Sequence, residues 1–220
     1  KLDGGVMCPS FRATRDERDS TRGRANSLRL ALSGQLGPAA LASDDMAAPM
    51  KLCVSCKACK RECPTGVDMA RMKVEVTALH TEAKGLSLHD RLVAHLPDYA
   101  PYAATIAPLI RLRDIVPGLA WLSEKLTGFS ARRPLPHWQR RWFRNHELPN
   151  SPAHKSSSTT VKPPVLLFID SFNRYFEPEN IRAAVRVLQA AGYDVFTPMP
   201  DGSKQPLCCG RTFLSTGMID

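Results

Sequence analysis

The sequence predicts two kinds of structure in succession, an α-helical part organised around a run of cysteines and then an α/β part. Three observations predict it. Residues 53–64 read Cys-Val-Ser-Cys-Lys-Ala-Cys-Lys-Arg-Glu-Cys-Pro, which is a ligand run and not a core pattern. The stretches on either side of it repeat apolar residues at helical spacing. Beyond a stretch rich in Ser, Thr and Pro, residues 165–169, 178–192 and 193–196 read as strand, helix and strand.

In chain order, Cys8-Pro9 comes first and resembles the tail of a cysteine run. Thr14-Arg-Asp-Glu17 has the form of a capping box. It predicts a helix within 20–32, with Leu28, Leu30 and Leu32 as its apolar positions, Arg22, Arg24 and Arg29 on a solvated or partner-facing side, and Gly34 as the stop. Residues 35–45 read as a loop of small residues, and Pro49 is expected to interrupt any helix that enters the cysteine run. Residues 67–84 are helical in pattern, with Met69, Met72, Val76 and Leu79 on one side as core filler. Ser87 is the next N-cap, and further helices are expected near 102–115 and 117–128. His80, His89 and His95 form no metal-binding pair by spacing.

Residues 132–144 are basic with interleaved aromatics, a strap whose tryptophans pack on the helical part or, alternatively, a platform for single-stranded nucleic acid. Residues 149–164 have linker composition. The expected layout is therefore a helical domain over 1–130, strap and linker over 131–164, and a partial α/β domain over 165–220. Strand 165–169 is a continuous apolar run of the kind buried on both faces, and with 193–196 it should form a parallel, right-handed βαβ unit leading to Cys208-Cys209-Gly210.

The cysteine run carries the chemistry. Three cysteines at intervals of three and a fourth before proline match the bacterial ligand run of a [4Fe–4S] cluster, in which a short coil offers thiolates to separate iron corners. In two-cluster ferredoxins the Cys-Pro cysteine of each run serves the other cluster. By that rule Cys8 completes the cluster of Cys53, Cys56 and Cys59, and Cys63 serves a second cluster whose other ligands lie outside these residues. Lys57, Lys60 and Arg61 are expected to favour the reduced state. The competing assignment is a Cys₄ zinc site, although zinc frameworks usually separate two Cys-x₂-Cys knuckles by roughly 15–20 residues.

Composition bounds the rest. The 220 residues are 43% apolar, enough for one large or two modest cores. A net charge of +9 fits an acidic partner domain, an anionic substrate or nucleic acid, but no recognised nucleic-acid module accompanies it. Seven cysteines at metal-ligand spacing indicate a reducing compartment, the cytoplasm. No run approaches the roughly 18 apolar residues of a spanning helix, so no transmembrane segment is expected and any membrane attachment is peripheral. The chain opens on Lys-Leu-Asp and closes soon after a cysteine motif, and is expected to be an internal or C-terminal piece of a longer protein.

Cys8-Pro-Ser-Phe11, Thr14-Arg-Asp-Glu17, Thr21-Arg-Gly-Arg-Ala-Asn26, the run 53–64 with Thr65-Gly-Val-Asp-Met69, and Cys208-Cys-Gly-Arg-Thr-Phe213 together resemble one family. It is the long FAD-linked oxidases fused to an iron–sulfur oxidoreductase half, similar to bacterial D-2-hydroxyglutarate dehydrogenases and to the glycolate oxidase iron–sulfur subunit. The resemblance implies a helical two-cluster ferredoxin-like domain followed by a partial α/β cysteine-rich (Cys-Cys-Gly) domain. It implies that the segment relays electrons from a flavin domain of the same parent chain, through [4Fe–4S] clusters, to an acceptor the sequence does not name. FAD belongs to that missing flavin domain, and the segment itself is expected to hold no catalytic residue. Carried over, Cys208 and Cys209 become ligands of a further iron–sulfur site or redox thiols; a buried structural pair or a vicinal disulfide is the alternative. Ser171 and Asn173 stand where such modules often place a cysteine. The reading from another class is a zinc-stabilised basic module that binds RNA or a protein partner.

Overall fold

In the computed structural model, which describes residues 6–149, 162–198 and 206–219, the first long helix starts at a cap other than the expected one. Thr14 ends helix α1 (Pro9–Thr14), and its hydroxyl accepts from the Asp16 N–H. Asp16 caps a single 3₁₀ turn, Glu17–Asp19. Ser20 then caps α2 (Thr21–Leu32) by accepting from the Gly23 N–H, while its own hydroxyl donates to Glu17. The capping box at Thr14 is thus displaced by six residues, because a second hydroxyl with the same local chemistry sits next to the helix. Within α2 the buried side chains are Arg24, Leu28 and Ala31, whereas Leu32 is exposed. Gly34 follows at φ 77°.

Helix α3 (Asp44–Lys51) is capped by Ser43 and runs through Pro49 without breaking. The helix has only eight residues, and Pro49 gives up one N–H while its carbonyl accepts from the buried Arg24 Nε at 2.8 Å. After α4 (Ala58–Glu62), Asp68 caps α5 (Met69–Lys84) by accepting from the Arg71 N–H. Met69 and Val76 are buried as expected, but Met72 and Leu79 are partly exposed, at 38% and 41%. Ser87 accepts from the Asp90 N–H at the start of α6 (Leu88–Ala94).

By contacts, residues Lys1–Ala94 with Thr212–Asp220 make one compact unit and His95–Arg211 a second. The core of the first is Leu28, Ala31, Met46, Met50, Met69 and Val76. Apolar burial there fills the space between α2, α3 and α5, at a gain of roughly 25 cal/mol per Å² removed from water.

The second unit begins with α7 (Leu96–Thr105), α8 (Ala107–Ile115) and α9 (Leu119–Thr127). The strap behaves as the packing reading expected: Trp138 and Trp142 cover Ala100, Ala104 and Tyr175, with the Trp142 and Tyr175 rings 5.1 Å apart. That packing groups 95–127 with the α/β part. Strand β1 (Pro164–Leu166) leads through α10 (Ser171–Tyr175) and α11 (Pro178–Ala190) to β2 (Asp194–Phe196). The two strands are parallel, Val165 opposite Val195. The apolar run 165–169 is not buried on both faces: Leu166 is 55% and Phe168 48% exposed. A two-stranded pair with α11 against it hides one face, where Val195 packs with Ile181 and Val185 of α11. Helix α12 (Arg211–Ser215) closes the described chain, and its residues from Thr212 rejoin the first unit, where the Thr81 hydroxyl donates to the Thr216 carbonyl. Most of the expected linker 149–164 lies outside the described residues.

Candidate metal centre

The cysteine run leaves the end of α3 as coil. Its path is set by two residues in the left-handed region, Ser55 at φ 54° and Lys57 at φ 57°. Each costs backbone strain for a residue with a Cβ, and such residues collect at functional sites. They turn the chain sharply enough that Cys53, Cys56 and Cys59 face the same side, with Cys59 already in the first turn of α4. Cys8 arrives from elsewhere in the sequence, at the N-cap of α1 with Pro9 as first helical residue. A pocket in the first unit is lined by Cys8, Cys53, Cys56 and Cys59, with Thr21, Arg24 and Met69 among its other walls. Cys53 and Cys59 back onto the apolar core.

Cys63 is the residue that ends α4 and does not belong to that wall. Its thiol lies 3.1 Å from the Thr65 hydroxyl. That hydroxyl, with the backbone N–H groups of Val67, Thr65 and Gly66, draws the Cys63 thiol below its ordinary pKa. Cys208 and Cys209 belong to the second unit, one half-buried and the other exposed, both as free thiols. Ser171 is buried at the first position of α10, and the Asn173 amide donates to Asp170.

The charges around the pocket differ from expectation. Lys57 and Lys60 both reach Asp68, at 3.5 and 3.4 Å, so one carboxylate offsets part of their charge. Burial pushes the Asp68 carboxyl up, but the Arg71 N–H and the two lysines outweigh it and hold the carboxyl below its usual range. Two other cations contact the cysteines themselves. Arg24 is 1% exposed, which corrects its placement on a solvated side. Its Nη2 donates to the Ser10 hydroxyl at 2.8 Å, and its Nη1 faces the Cys8 sulfur at 3.9 Å. The Thr21 hydroxyl stands 3.0 Å from the same sulfur. The Lys73 ammonium donates to the Cys53 carbonyl at 2.7 Å. Burial, with Arg24 nearby, lowers the Lys73 pKa against the opposing pull of Cys53. The signal for both was spacing: Arg24, Leu28 and Ala31, like Met69, Lys73 and Val76, fall at i, i+4 and i+7 on one buried stripe.

Among the described residues, no group of three or more His, Cys, Asp or Glu side chains is set to hold a single metal ion. A cubane asks for something else, thiolates spread around a pocket so that each meets its own iron. The donor set and the two adjacent cations fit such an anionic centre.

Residues 5–67 match the family described as 4Fe-4S dicluster domain. Over 92% of its length the chain is 25% identical to a D-2-hydroxyglutarate dehydrogenase of Pseudomonas putida, covering 24% of that protein. It is 24% identical over 86% of its length to the protein of the same name from Haemophilus influenzae, of which it covers 22%. For the Escherichia coli protein of that name the identity is 24% over 90% of the chain, and the cover again 24%. The chain therefore spans about a quarter of the length of the curated relatives it matches. No solved structure matches it significantly.

Proposed function

We propose that this chain, whose residues 5–67 match a 4Fe-4S dicluster domain and which is similar to D-2-hydroxyglutarate dehydrogenases, relays electrons and makes no bonds itself. The observation that supports this best is the pocket where Cys8 joins Cys53, Cys56 and Cys59. These four would hold one [4Fe–4S] cluster, which when bound supplies a site for one electron at a time. Cys63, outside the wall, would serve a second cluster. Cys208 and Cys209 would add an iron–sulfur or redox-thiol site to a partial α/β Cys-Cys-Gly domain over 165–220, after a ferredoxin-like helical domain over 1–130.

The chain's own residues have three tasks. Ser55 and Lys57 hold the strained turn that aims three thiols one way. Met50, Met69 and Val76 keep water from the inner wall. Thr21 offers its hydroxyl to the Cys8 sulfur. In the parent protein, which the relatives' names associate with a 2-hydroxyacid dehydrogenase, electrons would come from a flavin domain carrying FAD and leave to a downstream acceptor. No described helix is long and apolar enough to cross a membrane, and a cytoplasmic setting is part of the proposal.

The test is optical. Protein purified without oxygen should be brown, with a broad visible band that dithionite bleaches and reoxidation restores. A colourless protein carrying stoichiometric zinc would overturn the reading in favour of a zinc-stabilised basic module.

A further inference from the structure

Arg24 is a cation sealed inside the first unit. All its nitrogens are engaged: Nε donates to the Pro49 carbonyl, Nη2 to Ser10, and Nη1 faces the Cys8 sulfur. Ser10 is itself buried and passes its hydroxyl proton to the Asp19 carbonyl at 2.7 Å, which fixes the arginine's position from the far side. Lys73, half-buried, adds a second cation behind the run, donating to the Cys53 carbonyl. None of the ion pairs among the described residues includes Arg24 or Lys73. The nearest buried carboxylate in the sequence, Asp19, makes no ion pair with either, and its Oδ1 has no hydrogen-bond partner.

A buried charge such as Arg24 without a counter-charge is strongly unfavourable, and the half-buried Lys73 adds a second positive charge nearby. The thiol-lined pocket is where the counter-charge must enter. A cluster with four thiolate ligands is a net anion and gains a further negative charge on reduction, so fixed cations beside it favour the reduced form more than the oxidised. Resting on the cluster reading above, we infer that Arg24, assisted by Lys73, is a positioning residue that raises the reduction potential of the centre held by Cys8, Cys53, Cys56 and Cys59. Exposed Lys57 and Lys60 share the single carboxylate of Asp68 and sit in solvent, which screens their charge more than that of buried Arg24.

The experiment is an anaerobic redox titration of the cluster-loaded protein, followed by the electron paramagnetic resonance signal of the reduced state, with iron and sulfide counted in every sample. Arg24→Gln should lower the equilibrium constant for reduction about tenfold, which for one electron is ~59 mV. Lys73→Met should shift it in the same direction, and Arg24→Lys should keep most of the wild-type value. Arg22→Gln, on the same helix but exposed and paired with Glu17, is the control and should change little. The sign separates tuning from loosening. A merely structural loss would admit water and stabilise the more highly charged reduced state, moving the potential up. Loaded variants that titrate like the wild type, or an equal shift in Arg22→Gln, would overturn the inference. If Arg24→Gln does not assemble a centre, a Lys73→Met titration unchanged from the wild type overturns it alone. Absence of iron from the wild type would instead remove the cluster reading beneath it.

Discussion

Gly23 sits where a Cβ would stand 2.1 Å from the Glu17 carbonyl oxygen, a backbone atom with little room to retreat. Gly23→Ala should therefore destabilise the first unit by roughly 1–3 kcal/mol, measured as a lower midpoint in chemical denaturation. Asp44 gives a residue-scale pH prediction. Hydrogen bonds from His80, then Lys84, bring its carboxyl from 3.8 to about 2. A lowered folded pKa means the stabilisation is full above 3.8 and is lost as the pH falls towards about 2. Asp44→Asn should therefore flatten the acid limb of stability between those values, and an unchanged limb in thermal melts would count against the pairing. At this scale the cysteines were legible because ligand spacing is written in the chain. Arg24 was not, since an arginine in a basic helix reads as surface. Its i, i+4 spacing to Leu28 carried the contrary signal, but charge outweighs position when no partner is in view.

Arg113 does for the α8–α9 hairpin what an apolar core does elsewhere. It is 8% exposed and donates to the Ser123 hydroxyl, the Asp114 carboxylate and the carbonyls of Phe129 and Ser130. It thereby satisfies carbonyls just past the C-terminus of α9, while Leu109, Ile115, Trp121 and Leu126 remain exposed. Arg113→Met leaves those acceptors and Asp114 without their donor and should cost roughly 3 kcal/mol of local stability. Faster amide exchange across 107–127, with exchange in α5 unchanged, is the expected readout. Element existence was legible from periodicity, whereas termini were not. Thr14 and Ser20 both precede a plausible helix, and only the Gly23 N–H placed within reach decides for Ser20. Pro49 was misjudged because a short helix tolerates a missing N–H that a long one would not.

For the whole molecule, contact grouping follows the aromatic strap and not the order of motifs along the chain. Trp138 and Trp142 tie α7 to Tyr175, and Arg182 on α11 reaches Glu147 at 2.9 Å beyond the strap. The sequence displayed the aromatics but not their destination, because a packing partner far along the chain leaves no local pattern. Trp142→Ala should loosen the second unit by roughly 3–5 kcal/mol, visible as an earlier unfolding transition. The cluster pocket is likewise a meeting of distant pieces, and it was foreseeable only because a rule of ligand exchange links one Cys-Pro to another run. The most direct measurement of that meeting is iron and acid-labile sulfide per chain in oxygen-protected wild type, Cys8→Ser and Cys63→Ser. The account predicts about four of each in the wild type and in Cys63→Ser, with loss in Cys8→Ser. Retention in Cys8→Ser together with loss in Cys63→Ser would contradict it.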